Sequence, residues 1–309
     1  MTFSVTVLGS SSALPTSSRF PTAHLLNANE RFFLIDCGEA TQIQLRKYKL
    51  RFSKINHIFI SHLHGDHYFG LFGLLSSLSL LGRTSDLHLF AHKELDEMLK
   101  FQFKNYELGF NLVFHTIENN FDGILFDDKQ LTISTFPLKH RITTNGFIFR
   151  EKQKERNIIK EMVQYHQLGI KDIVRIKKGE DFVDKDGKVI LNKNLTIPSY
   201  LPRSYAFCSD TAYDPSIVKY IEGVDLLYHE STFAEDHALR AKETGHSTAR
   251  QAAKIAELAK VKKLLLGHFS ARYKDLTVFE TEACEIFPNA TIVTEGQTYD
   301  IDLQREIII

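Results

Sequence analysis

His62, His64, Asp66 and His67 fall within six consecutive positions of the stretch SHLHGDHYFGLFGLL, residues 61–75. Side chains two apart in an extended segment share a face, so His62 and His64 can ligate one metal ion. Gly65 permits a sharp turn. Asp66 and His67 then point elsewhere and can serve a second ion. Imidazole and carboxylate donors together suit zinc. Isolated histidines are ordinarily core or surface residues; four donors at this spacing, on the end of an apolar strand, are a specific metal-binding signal.

Three further donors close apolar runs. His140 ends LTISTFPLKH, Asp210 ends SYAFCSD, and His268 ends KKLLLGH. Strand ends are where a sandwich presents a site. Two metals about 3.5–4 Å apart need a shared ligand, and Asp210 is the candidate bridging carboxylate.

The elements that must position these groups can be read from apolar patterning. Strands are expected at residues 3–8, 23–27, 31–36, 55–62, 86–92, 131–140, 204–210, 224–230 and 262–269, with terminal strands at 290–296 and 298–309. The run 86–92 also ends in a histidine, His92. Helices are expected at 40–49, at 68–81, after Ser247 and at 276–287. Residues 150–178 differ in character, with nine Lys or Arg against four acids. Ile158, Ile159, Met162, Val163 and His166 recur there at helical spacing, with Gly169 closing the helix. A hairpin follows, with Asp186-Gly187 at its turn. This segment reads as an excursion from one layered α/β sandwich.

The chain has 309 residues, enough for one large domain, and 38 basic against 38 acidic residues. Zero formal charge argues against non-specific coating of nucleic acid but leaves a local basic patch open. Cys37, Cys208 and Cys284 are odd in number and far apart, which indicates neither a disulfide framework nor a cysteine-based zinc site. The N-terminus lacks the basic segment of a signal peptide, and the longest apolar stretch is broken by serines. The expectation is a cytoplasmic protein with no membrane partner.

The stretches FFLIDCGEATQIQL (32–45), SHLHGDHYFGLFGLL (61–75), FCSDT (207–211), YHESTF (228–233), TGHSTARQAA (244–253) and LLGHFSARY (265–273) together resemble the metallo-β-lactamase superfamily, and within it ribonuclease Z. The resemblance runs nearly the whole chain in order. It implies a four-layer αβ/βα sandwich with a small protruding arm, at about residues 150–194, on one domain spanning 1–309. It implies two zinc ions per chain: His62, His64, His140 and Asp210 on one, Asp66, His67, Asp210 and His268 on the other. It implies cleavage of the 3′ trailer from precursor tRNA, leaving a 3′-hydroxyl, with Asp66 as proton acceptor. It further implies a homodimer in which one subunit's arm serves the other's site. His246 matches the family's HST motif and is a candidate general acid for the leaving oxygen, with Glu230 setting its tautomer.

The metal ligands alone do not name a substrate, since the same kind of site serves several hydrolyses. Ser270, Arg272 and Lys274 follow ligand His268 and are placed to meet phosphates, as is Arg19 in the loop GSSSALPTSSR. Lys177 and Lys178 belong to the basic excursion, which resembles by position the arm that grips tRNA. Residues 151–194 contain no proline and only Gly169, Gly179 and Gly187, unlike the glycine- and proline-rich arm tip of better-known bacterial members. The competing expectations are a small-molecule phosphodiesterase or thioesterase of the same superfamily and a non-catalytic RNA-binding protein.

Overall fold

The computed structural model describes residues 1–305. They divide into two compact units. The larger comprises residues 1–127, 132–149 and 204–301; the smaller comprises 128–131, 150–203 and the segment from 302.

The larger unit is built on two seven-stranded sheets. The first runs, in spatial order, Thr298–Asp300, Phe3–Gly9, Ala23–Ala28, Arg31–Ile35, Ile55–Phe59, Leu87–Ala91 and Leu112–Thr116. The second runs Ala290–Ile292, Lys263–Gly267, Leu226–Glu230, Ser204–Cys208, Thr144–Glu151, Leu131–Leu138 and Gly123–Asp127. Their inner faces meet through large aromatic side chains. Phe59 lies edge-on to Phe147 at 5.6 Å, and Phe33 to Phe149 at 5.9 Å. The polar contact His24 Nδ1 to Tyr205 Oη, 2.8 Å, is sealed within this layer. Helices Thr41–Lys47, Gly65–Leu80 and Lys93–Gln102 cover the outer face of the first sheet, burying Leu45, Leu71, Leu74, Leu78, Leu95 and Leu99 in one cluster with Leu34, Ile58 and Leu89. Helices Ala249–Leu258 and Thr277–Cys284 pack on the second sheet. The order helix, sheet, sheet, helix is the expected αβ/βα sandwich.

Parallel pairing decides where the site falls. Arg31–Ile35, Ile55–Phe59 and Leu87–Ala91 run parallel, as do Ser204–Cys208, Leu226–Glu230 and Lys263–Gly267. Open parallel sheets present ligands at the carboxyl ends of their strands. Asp36, His62, Asp210, Glu230 and His268 all stand at or just beyond such ends, and His140 follows Leu131–Leu138, which pairs antiparallel with Gly123–Asp127.

The smaller unit has its own core of Leu168, Ile176 and Leu195, with Met162, Val163, Ile173, Phe182 and Ile190 packed around it. Within it Arg203 meets Glu151 with both groups buried, Nε to Oε2 at 2.8 Å and Nη2 to Oε1 at 2.9 Å.

Some expected elements differ. The basic segment forms two helices, Lys160–Tyr165 and Ile170–Lys177. Gly169 has φ −76° and begins the second helix; Gln167, at φ 48°, turns the chain between them. The final strand stops at Asp300, where pairing with Phe3–Gly9 ends, and Arg305 makes only an isolated bridge to Tyr200. Residues 306–309 of that expected strand lie outside the described residues. Regular pairing of the strand before His62 ends at Phe59, so both histidines lie on extended loop.

Candidate metal centre and active site

Helix Gly65–Leu80 and the turn after Arg31–Ile35 are locked together. Cys37 N donates to His67 O at 2.7 Å, and Gly70 N donates to Cys37 O at 2.9 Å. The approach is close enough that a Cβ on Gly70 would stand 2.0 Å from Gly38 O, and one on Gly38 2.5 Å from Asp66 O. Glycine is required at both for this steric reason. The lock presents Asp66 and His67 in the first helical turn beside His62 and His64.

Two donor groups result, each able to hold a metal ion: His62, His64, His140 and Asp210; and Asp66, His67 and His268. Asp210 faces both. Its Oδ2 lies 3.5 Å from His62 Nε2 and 3.6 Å from His140 Nε2. Its Oδ1 lies 3.1 Å from both His67 Nε2 and His268 Nε2. Asp66 Oδ2 is 3.4 Å from His67 Nε2 and 3.5 Å from His268 Nε2. Asp36, Asp210 and His268 adopt positive φ of 56°, 54° and 59°, a conformation that costs non-glycine residues on the order of 1 kcal/mol each. That strain is concentrated where the strands hand over to the site.

The other nitrogen of most rings is already committed. His67 Nδ1 donates to Asp36 Oδ2 at 2.6 Å, and His140 Nδ1 to Gly245 O at 2.8 Å. His62 Nδ1 meets Ser61 Oγ at 3.0 Å, whose hydroxyl donates onward to Asp36 Oδ2 at 2.9 Å. His268 Nδ1 meets Thr232 Oγ1 at 2.9 Å, whose hydroxyl donates to Glu230 Oε2 at 2.7 Å. These contacts commit Nδ1 and leave Nε2 as the atom aimed inward, the one that would offer its lone pair to a metal. His64 is the exception, presenting Nδ1 to the group.

The donor set fits divalent cations. His67 Nε2 and His268 Nε2 are buried and face the Asp210 and Asp66 carboxylates without a well-directed hydrogen bond, an arrangement that suits a cation held between them. Burial pushes the His62 imidazole down to about 4, with the charge of His67 adding to the effect, and burial lowers His64 and His140 as well. These rings are neutral and ready to ligate near pH 7. Burial opposes charge on His67 too, but Asp210, Asp66 and Asp36 outweigh it and hold that ring protonated well above the ordinary range. One proton thus stands among three carboxylates where a cation would neutralise more charge.

A cleft of about 310 Å³ opens onto this cluster, lined by Ser12, Ala13, His64, Asp66, Phe69, Arg141, Asp210 and His246 among others. Ala13 N donates to Asp66 Oδ2 at 2.8 Å. His246 Nδ1 donates to Glu230 Oε1 at 2.7 Å. Glu230 is fully buried, and Thr211 N (3.0 Å) and Thr232 N (2.9 Å) complete its bonding. Burial disfavours both charges, yet the pair prevails: Glu230 is held down to about 2 and His246 up to about 9. His246 also lies within ligand range of Asp210 and His268.

Of the expected phosphate contacts, the fold brings three together. Phe269–Ser270 pairs with Ser11–Ser12 of the N-terminal loop. Arg19 Nη2 donates to Ser270 O at 3.2 Å, and Arg272 Nε to Ser270 Oγ at 3.2 Å, with Arg272 lying over the Phe233 ring. Lys274 follows in the same loop. Lys177 and Lys178 belong to the smaller unit, where Lys177 pairs with Glu155 at 3.0 Å. His92, although it ends a strand, is not a donor in either group; it bonds Ile117 O at 3.0 Å.

Asp36, Ser61, Thr232 and Gly245 escaped the sequence reading. Asp36 alone carried a signal, a carboxylate closing a fully apolar strand directly before a glycine.

A family model described as anti-Pycsar protein Apyc1 matches residues 3–149, the part that carries His62 to His67 and His140. The curated ribonuclease Z of Phocaeicola vulgatus is 51% identical over 97% of this chain and 98% of its own length. That of Porphyromonas gingivalis is 42% identical over 97% of this chain and 99% of its own. Among solved structures, human tRNase Z, short form, superposes with a TM-score of 0.71 at 28% identity, covering 97% of this chain and 99% of that one. A diphosphatase from the PhnP family shares the fold, with a TM-score of 0.62 at 16% identity. With identity this high along nearly the full length of both chains, this protein belongs to the ribonuclease Z family.

Proposed function

We infer that this chain is a hydrolase that removes the 3′ trailer from precursor tRNA endonucleolytically, leaving a 3′-hydroxyl on the tRNA. The observation that carries the reading is full-length identity of 42–51% to ribonuclease Z proteins. The two donor groups hinged on Asp210 are compatible with it.

The metal is read as two zinc ions per chain, one with His62, His64, His140 and Asp210, the other with Asp66, His67, Asp210 and His268. Such ions would lower the pKa of a water and neutralise charge on the phosphoryl oxygens. The chain's own residues do the rest. Asp66, held ionised by His67 and His268 in spite of burial, orients the attacking water, and the family resemblance makes it the acceptor of that water's proton. His246 gives its proton to the departing 3′-oxygen. Glu230 keeps His246 charged and fixes Nδ1 as the bonded nitrogen, so Nε2 is the donating atom. Arg19, Ser270, Arg272 and Lys274 line the approach of the phosphates, and Lys177 and Lys178 serve the tRNA from the arm.

The smaller unit is read as that arm, inserted in a single catalytic domain; its separate core and its run of residues 150–203 support this. No helix among the described residues is long and apolar enough to cross a membrane. The finer reading, from the family resemblance, is a cytoplasmic homodimer.

The test is end-mapped cleavage of a precursor tRNA with a labelled trailer, wild type beside Asp66→Ala. A metal-dependent cut near the discriminator that leaves a 3′-hydroxyl and vanishes in the variant is expected. A protein that binds metal but leaves the precursor uncut refutes the reading.

A further inference from the structure

Phe69 is out of place for a phenylalanine. Helix Gly65–Leu80 buries Leu71, Leu74, Leu75 and Leu78, yet Phe69 is 51% exposed. Its ring is nonetheless held. A Cβ on Gly65 would stand 2.2 Å from Phe69 Cε2, so the ring covers the bare face of that glycine, and Tyr68 meets it edge-on at 4.9 Å. A fixed aromatic face therefore lines the cleft, one helical turn from Asp66.

We propose that Phe69 is the platform on which the base of the first trailer nucleotide stacks. The assignment rests on the tRNA-processing reading above. Every nucleobase has a π face, and stacking on a protein aromatic does not depend on base identity, which suits trailers of varied sequence. The choice of nucleotide follows from the direction of cleavage. The departing 3′-oxygen belongs to the last nucleotide retained by the tRNA, and it must face His246. That nucleotide's ribose then lies along the part of the cleft made by His246 and its neighbour Arg141, whose charge bears on His246. In-line displacement puts the attacking oxygen on the other side of phosphorus. On the roles proposed above that position belongs to Asp66, which Ala13 N bonds and beside which Gly65 and Phe69 line the cleft. The trailer's 5′-oxygen stays on phosphorus and leads away from the retained nucleotide, so the base beside Phe69 is assigned to the first nucleotide of the trailer. Its base gains a surface without a hydrogen bond, so position comes from Phe69 and sequence is not read.

The experiment compares kcat/KM on an intact precursor tRNA and on one abasic at the first trailer position, for wild type, Phe69→Ala, Phe69→Leu and Phe69→Trp. Wild type must first cut the intact substrate; if it does not, the substrate reading falls, and this proposal with it. Stacking contributions of 1–3 kcal/mol per base predict that Phe69→Ala loses about 5- to 150-fold on the intact substrate. The same variant should lose less than about 2-fold on the abasic one. Phe69→Leu, which keeps an apolar cover over Gly65, should behave like Phe69→Ala, and Phe69→Trp like wild type. The intact-to-abasic ratio is taken within each protein, so any loss of folded enzyme cancels. Equal losses on the two substrates overturn the proposal. A penalty that disappears only when the retained nucleotide is made abasic overturns the assignment to the trailer.

Discussion

Asp36→Asn changes one atom and should cripple one metal position while leaving the other nearly intact. Asp36 is fully buried and accepts three hydrogen bonds: Oδ1 from Ser61 N at 2.7 Å, and Oδ2 from Ser61 Oγ at 2.9 Å and His67 Nδ1 at 2.6 Å. An amide cannot satisfy this set in either orientation. With its oxygen toward Ser61 N, the NH₂ faces His67 Nδ1, and the ring must move its proton to Nε2, the atom aimed at the metal. With the amide reversed, the NH₂ faces the Ser61 N–H, and a buried donor loses its partner at a cost of about 1–3 kcal/mol. Loss of such an orienting carboxylate typically weakens metal binding 10- to 100-fold, about 1.4–2.7 kcal/mol. The assay is a competitive titration of metal-free protein with zinc against a chromophoric chelator at pH 7.5. The step assigned to Asp66, His67 and His268 should weaken by that factor. The step assigned to His62, His64 and His140 should move only a few-fold, through Ser61. Two steps within twofold of wild type would refute the tautomer argument. Equal collapse of both, with a large fall in the metal-free Tm, would show Asp36 to be structural instead.

Three further outcomes follow from the same geometry. In metal-free protein, Glu230→Gln removes a buried pair worth about 3 kcal/mol, from the rise of His246 from 6.5 to about 9. Because the folded-state value is raised on His246, its share is complete below pH 6.5 and lost as pH rises through 9. On Glu230 the value is depressed from 4.5 to about 2, so its share is complete above pH 4.5 and lost as pH falls through 2. The Tm gap between wild type and variant should therefore be widest between pH 4.5 and 6.5 and close by pH 9 and above; a pH-independent gap contradicts it. In the active enzyme the alkaline limb of kcat should move at least about one pH unit toward acid. Gly70→Ala places a methyl against Gly38 O and should cost about 1–3 kcal/mol in urea melts and weaken metal binding, since the loop carrying Asp36 must shift; an unchanged midpoint would show the loop to be compliant. Deleting residues 153–180 should reduce cleavage of precursor tRNA far more than hydrolysis of a small phosphodiester, and equal losses would count against the arm reading.

Much of the site is written locally. The spacing of His62, His64, Asp66 and His67 is set by six covalently linked residues, so their convergence needs only a strand, a turn and a helix start. His140, Asp210 and His268 could be picked out because each closes an apolar run, and such runs become buried strands that deliver their last residues to the site. The basic excursion, the Asp186-Gly187 hairpin and the helix after Ser247 were legible for the same local reason; the structure adds that Thr248 caps that helix, accepting from Gln251 N.

What only the tertiary structure decided is the protonation and aim of each ligand. Asp36 reaches His67 across 31 residues, Thr232 reaches His268 across 36, and the Gly245 carbonyl reaches His140 across 105. These partners are a carboxylate, a hydroxyl and a backbone oxygen, groups too common to carry a signature. Glu230 illustrates the difference. In sequence it could have been a solvated salt-bridge partner; four hydrogen bonds in a fully buried setting make it the anion that keeps His246 charged. Strands such as Leu112–Thr116, Gly123–Asp127 and Thr144–Glu151 went unrecognised because sheet pairing, not their own alternation, makes them strands. Residue type and short spacing named the donors. Burial and long-range hydrogen bonds determined which atom each one offers, because a lone pair and a proton exchange places on an imidazole at the bidding of its neighbour.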